Sequence, residues 1–414
     1  MSSSSTMAPS LDAHHSPSVR LDQIHWESAR SKRVAVSAFA VGVLGIAATL
    51  LGTTLLEPTQ AFGSYLFAYM LFLSLGLGSL FFVLLHHITG SKWGVVVRRL
   101  AEASMSTLPL FALLFIPILV GMHHLYEWAD PAEVAHDALL QEKSAYLNVP
   151  FFVIRAVLYF VFWTLLSIYL SRKSVQQDKG DGARILASLK TFSAPGMMIF
   201  GLTTTFAAFD WLMSLSPHWF STIFGVYYFA GGIQGTLALL IVIAFLLQRS
   251  GLLAGVVTIE HYHDLGKLLF GFTVFFAYIA FSQYFLIWYA NIPEETFWFL
   301  DRWGPWAGTS LALILMTFVL PFIVLLSRHA KRNLAPLLIA AIIVLIGRAI
   351  DIFWLVLPSL DHDHMGPQVG WITFSALLGI GGLYVGMLAW RLGKNPLIPV
   401  GDPFLRSSLG HENG

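Results

Sequence analysis

The sequence predicts an all-α integral membrane protein with ten transmembrane helices. Of its 414 residues, 56% are hydrophobic and only 11% are charged, whereas soluble domains carry about 25% charged residues. The mean hydropathy is +0.71. The apolar residues also fall in long runs, and ten of them reach the roughly 20 residues that a helix needs to cross a bilayer.

Those runs place the spans at 34–56, 61–86, 103–124, 149–171, 191–214, 219–247, 267–290, 305–328, 333–358 and 370–391. Residues 1–33 form a polar N-terminal tail, 34–391 the membrane domain and 392–414 a C-terminal tail. The first 33 residues hold no apolar core, so no cleavable signal peptide is expected and the first span must direct insertion.

The connecting segments alternate in charge. Of the Lys and Arg residues, all but Lys143, Arg155, Arg302 and Arg348 fall on the side that carries both tails. The opposite loops hold Glu57, Glu127, Asp130, Glu133, Asp137, Glu142, Glu294, Glu295, Asp301, Asp361 and Asp363. The positive-inside rule then puts both termini in the cytoplasm. Nine tryptophans near span ends on the other side (128, 211, 219, 288, 298, 303, 306, 354 and 371) read as an interfacial belt.

A net charge of +1 gives no case for a nucleic-acid partner, and the absence of cysteine excludes disulfides, Cys-ligated iron–sulfur clusters and covalently attached haem. The histidines lie at span ends or in loops, which argues against a haem inside the bundle. His362 and His364, with Asp361 and Asp363, read as an exposed turn in preference to a metal site.

Four charges fall inside the apolar runs: Arg155, Asp210, Arg348 and Asp351. Each costs roughly 2.5–3.5 kcal/mol to insert at membrane depth, so pairing or use is expected. Arg155 lies about two turns into span 4, and Asp210 about one turn from the end of span 5. The two spans are consecutive and antiparallel, so the charges can meet. Arg348 and Asp351 are three apart on span 9 and share a helix face. Two readings are open. The charges tie helices together, or they serve a polar pocket or proton relay in the outer half of the membrane. For the second reading, His123, His124, His218, Tyr227 and Gln283 are the added candidates, with Tyr228, Gln234 and Tyr284 nearby.

Span 5 reads Asp210-Trp211-Leu212 and reaches Pro217; span 9 reads Asp351-Ile352-Phe353-Trp354-Leu355 and reaches Pro358. Each Asp stands seven residues before a proline, on helices of the same direction. This suggests two four-helix units, spans 2–5 and 6–9, flanked by spans 1 and 10. Gly231-xxx-Gly235 and Gly382-xxx-Gly386 mark close helix packing.

The stretches 210–222 (DWLMSLSPHWFST), 224–228 (FGVYY), 261–267 (HYHDLGK), 280–284 (AFSQY) and 288–295 (WYANIPEE) resemble the smaller NrfD-like, polysulfide-reductase-type membrane subunits of bacterial alternative complex III. The resemblance runs over most of the ten spans. It implies two four-helix bundles and a respiratory complex that oxidises menaquinol or ubiquinol in the bacterial cytoplasmic membrane. It implies partners as well: a larger NrfD-like subunit, an iron–sulfur subunit, c-type cytochrome subunits and a terminal oxidase. On this view the chain works within a quinol:cytochrome c-type oxidoreductase. It holds no haem or iron–sulfur cluster of its own and handles quinone or protons through Asp210, Asp351, Arg155 and Arg348. Without the resemblance, a secondary transporter or a structural anchor for redox subunits fits the same residues.

Overall fold

The computed structural model describes residues 21–55, 57–361 and 364–413. The described chain is helical with no strand, and ten helices are long and apolar enough to cross a membrane. They are α1 (Ser28–Leu55), α2 (Pro58–Thr89), α3 (Val95–Val120), α4 (Val149–Gln177), α5 (Gly182–Trp211), α6 (Phe224–Arg249), α7 (Ile259–Ala290), α8 (Gly304–Leu326), α9 (Leu334–Val356) and α10 (Trp371–Leu392). The architecture is that of a multi-pass membrane protein. Residues 23 and 24 meet the α6–α7 loop and the segment after α10, through Leu253 N–H to Gln23 O and Leu397 N–H to Ile24 O, each 2.7 Å. We call that end the termini-bearing face.

Helices α2 and α6 form the centre. Their most apolar windows are 83% and 78% buried, against 22% for α1. They approach closely because glycines face each other: a Cβ on Gly78 would sit 2.6 Å from Gly232 O. Helices α1 and α10 pair in the same way at one side, where a Cβ on Gly45 would lie 2.5 Å from Gly379 N and one on Gly382 2.6 Å from Gly42 N. Thr49 and Ser375 add a 2.8 Å hydrogen bond between them.

Two spans are not continuous α-helix. α3 runs as Val95–Met105, Leu108–Leu114 and Ile116–Val120. Pro109 and Pro117 each lack an N–H, which interrupts the backbone ladder. Two tyrosines of α2 cap carbonyls there: Tyr65 Oη donates to Leu114 O at 2.7 Å and Tyr69 Oη to Phe111 O at 3.0 Å. α8 contains a π turn at Leu315–Val319, just before Pro321. Pro321 has no N–H for Thr317 O, and Gln234 Nε2 of α6 donates to that oxygen at 2.8 Å.

One sequence expectation needs correction, and two gain detail. The third span starts at Val95, eight residues earlier than the apolar run suggested. Arg98, Arg99 and Glu102 are therefore helical and buried, where loop positions were expected. They are tolerated because they are neutralised: Arg98 pairs with Glu102 at 3.0 Å and Asp402 at 2.7 Å, and Arg99 pairs with Asp178 at 2.7 Å. Second, the C-terminal tail is folded back on the bundle. Leu397, Ile398, Asp402 and Ser408 are buried, and Arg99 Nη1 donates to Ile398 O at 2.9 Å. Third, the tryptophan belt is mostly internal packing. Trp128, Trp211, Trp219, Trp298, Trp306 and Trp354 are buried, whereas Trp288, Trp303 and Trp371 are exposed. Trp219 and Trp298 stack at 4.3 Å, and Trp211 stacks on Phe160 at 5.4 Å.

Candidate functional site

The four charges that fall within the apolar runs meet in two pairs, one between the consecutive helices α4 and α5 and one within α9. Asp210 stands in the last turn of α5 and is fully buried. Arg155 and Tyr159 lie one helical turn apart on α4 and so present to it from one face. Arg155 grips the carboxylate with both arms, Nε to Oδ2 at 2.8 Å and Nη2 to Oδ1 at 2.9 Å. Tyr159 Oη adds a bond to Oδ2 at 2.8 Å, and Tyr146 Oη one to Oδ1 at 2.9 Å. Four donors on two oxygens fill the acceptor capacity of the group. The guanidinium is held from behind as well. Its Nη1 donates to Tyr146 O at 3.0 Å, and its carbon lies 3.9 Å from the Tyr146 ring centre and 4.3 Å from that of Phe151.

Tyr146 comes from the segment between α3 and α4, which folds as short helices. Asp130 and Asp137 cap two of them by accepting from Ala132, Leu139 and Leu140 N–H. Lys143 Nζ ties the segment down by donating to Pro217 O at 2.6 Å. Tyr126 Oη and Trp128 Nε1 donate to Trp211 O and Ser214 O. The segment thus closes over the end of α5 and holds Tyr146 against Asp210.

Asp351 stands five residues before the end of α9. It is also fully buried, and Arg348 on the same helix pairs with Oδ2. Tyr227 Oη donates to Oδ1 at 2.5 Å. Arg348 then spans three helices, with Nε to Ser74 Oγ on α2 and Nη2 to Tyr228 O on α6, each 3.2 Å. Gly231 makes the space for it, since a Cβ there would stand 2.3 Å from Arg348 Nη1. Asp351 thus receives two donors where Asp210 receives four, and it keeps free acceptor capacity.

The two clusters share no side chain, so the four charges do not gather at one point. Asp210 is served by α4 and the cap over α5, and Asp351 by α2, α6 and α9.

Of the residues expected to extend a quinone pocket, only Tyr227 bonds either carboxylate through its side chain, while Tyr228 meets Arg348 through its carbonyl and its ring face. His123 and His124 are exposed, and the His124 ring stacks on Phe62 at 5.6 Å. His218 is exposed and bonds Asp137 across 2.6 Å. Gln283 is buried and accepts from Ser221 Oγ at 3.1 Å. Tyr284 is half-exposed, edge-on to Phe299. Tyr228 Oη donates to Met70 O at 2.9 Å, and Gln234 serves the broken α8. His362 and Asp363 lie outside the described residues. Asp361 accepts from Trp306 Nε1, Met365 N and Gly366 N, as a turn residue does.

Arg302 escaped the sequence reading, which left it in a loop. It is 1% exposed, and its guanidinium carbon lies 3.4 Å from the Trp298 ring centre. It donates to the carbonyls of Trp298, Trp354 and Leu355 and to Ser359 Oγ. A cation there complements the C-terminal end of α9, one turn beyond Asp351. The dense tryptophans around it (298, 303 and 306) were its available signal.

The chain matches no family model, and no curated protein matches it.

Proposed function

We propose that this chain is a cofactor-free membrane subunit of a respiratory quinol-oxidising complex, of the alternative complex III type, with two Asp–Arg–Tyr clusters of which the one at Asp351 handles protons. The support is the chemistry of the clusters together with the sequence resemblance. One such cluster falls in each proposed four-helix unit, α2–α5 and α6–α9. The most buried helix of each unit is its first, α2 and α6. Both aspartates stand near the face that the positive-inside rule assigns to the periplasm, with both termini in the cytoplasm of a bacterial inner membrane. Quinol oxidation releases protons as well as electrons, and a buried carboxylate held beside an Arg and a Tyr is suited to pass them on.

The single observation that carries this reading is the difference between the clusters. Asp210 is saturated and suits a fixed, positioning role. Asp351 has spare acceptor capacity beside the Tyr227 hydroxyl, as a group that takes up and passes on a proton needs. Proposed partners are a larger NrfD-like subunit, an iron–sulfur subunit, c-type cytochromes and a terminal oxidase, with quinol bound at or near this chain.

The test is Asp351→Asn in the intact complex, purified from native membranes. Proton release per quinol, or turnover, falls while the haem-bearing partners still co-purify. Normal proton release in Asp351→Asn and in the Asp210→Asn/Asp351→Asn double variant refutes a relay. A chain that purifies without haem or iron–sulfur partners refutes membership of the complex.

A secondary transporter is the second reading, favoured by the two interrupted spans, α3 and α8. Substrate flux by the isolated chain in liposomes decides for it.

A further inference from the structure

At the termini-bearing face, α3, α4 and the end of α10 line two adjoining, partly open clefts that share Ser106, Ser171 and Arg391, with Arg172 exposed at the rim. The inner one has a volume of about 120 Å³, room for a phosphate-sized anion. Arg99 and Glu102 line the outer one, but both are already paired, with Asp178 and Arg98. Arg172 and Arg391 line the inner one, and neither has a carboxylate partner among the described residues. Their two charges repel each other across the cleft. Arg391 Nε is buried and has no hydrogen-bond partner among the described residues. A buried donor without an acceptor is unfavourable, so a ligand that supplies one is favoured. Ser106 and Ser171, 3.0 Å apart, offer hydroxyls beside it. Trp390, with Lys394 Nζ 3.5 Å from its ring centre, adds an interfacial anchor next to Arg391.

We infer that this cleft between α3, α4 and α10 is a phosphate-binding site, formed by Arg172 and Arg391 with Ser106 and Ser171, that takes the headgroup phosphodiester of an anionic lipid or free phosphate. Planar guanidinium groups grip phosphate oxygens in pairs, and basic pockets between membrane helices recognise anionic headgroups. The location at a bundle end, with an adjacent tryptophan, suits the lipid source.

Native mass spectrometry of the full chain in detergent tests this with three probes: phosphatidylglycerol, phosphatidylcholine and inorganic phosphate. Retention of phosphatidylglycerol over phosphatidylcholine by about tenfold, lost in Arg172→Gln/Arg391→Gln, supports the lipid source, on the scale expected for two basic groups at an anionic surface. Arg391→Lys keeps most of that preference. Phosphate binding that the double variant loses, without lipid preference, supports free phosphate. A preference that survives in the double variant, or none for either probe, overturns the inference. Should the double variant fail to fold, hydrogen exchange of the wild-type 390–398 segment in nanodiscs decides. Protection with phosphatidylglycerol over phosphatidylcholine, or on adding phosphate, supports the site, and its absence in both overturns it.

Discussion

Replacing Asp210 with Asn removes the counter-ion of Arg155 while keeping the size of the side chain. The Arg155 and Asp210 side chains are 8% and 0% exposed, so water cannot take the place of the lost charge. Breaking a buried pair from one side costs about 3–5 kcal/mol, because the remaining charge stays desolvated. Asn still accepts from Tyr146 or Tyr159 through its one oxygen, so the loss falls mainly on the guanidinium. Removing that cation too, with Arg155→Met, relieves the strain. The Arg155→Met/Asp210→Asn double variant is therefore expected to be more stable than Asp210→Asn alone. The implied coupling is about 2–3 kcal/mol, well above the roughly 0.6 kcal/mol average for neutral interhelical hydrogen bonds in membranes. Unfolding of the purified chain in mixed detergent, followed by circular dichroism across all four proteins of the cycle, measures it. Additivity within about 0.5 kcal/mol would show that the pair is not coupled and would refute the desolvation argument.

Three further outcomes follow from contacts described above. Gly231→Ala drives a methyl into Arg348 Nη1 and is expected to destabilise the chain by about 1–3 kcal/mol, with Arg348→Met suppressing the loss; the same unfolding assay reads both. Gln234→Leu leaves Thr317 O without a donor and is expected to cost about 1–3 kcal/mol; an unchanged midpoint would mean that the π turn satisfies the carbonyl by itself. Asp137 is held below the ordinary Asp value of 3.8 by the Leu140 N–H first, then by His218 and the Leu139 N–H, against an opposing effect of desolvation. Its ordering of the 130–148 segment is thus present above pH 3.8 and lost as pH falls through its lowered value; the protection of those amides relative to the unfolded chain is expected to fall only below that point, and protection already lost near pH 5 would contradict it.

Much of this arrangement was legible in the sequence, for identifiable reasons. Ten spans follow from hydropathy, since a bilayer leaves little choice of backbone. The Arg155–Asp210 pair follows from two consecutive antiparallel helices, and Arg348–Asp351 from a three-residue spacing. What escaped depends on folding at long range. Arg98 looked like a loop residue because its partner Asp402 lies 304 residues away. Tyr146 reaches Asp210 only through the packing of a non-spanning segment that carries no periodic signal. Tyr159 was within reach, four residues from Arg155 on one face. The histidines misled because proximity to a span end says nothing about which way a side chain turns.

The glycine-lined seam between α1 and α10 has a consequence for biogenesis. Thr49 and Ser375 touch across 326 residues of chain. At about 5–20 residues per second, the ribosome needs on the order of tens of seconds to bridge that distance. Throughout that interval α1 sits in the lipid without its mate, its bare glycine groove open to any neighbour. Helix α10 thus closes the groove of α1 only after the eight spans between them have been made, and a nascent chain stalled before α10 leaves that groove uncovered.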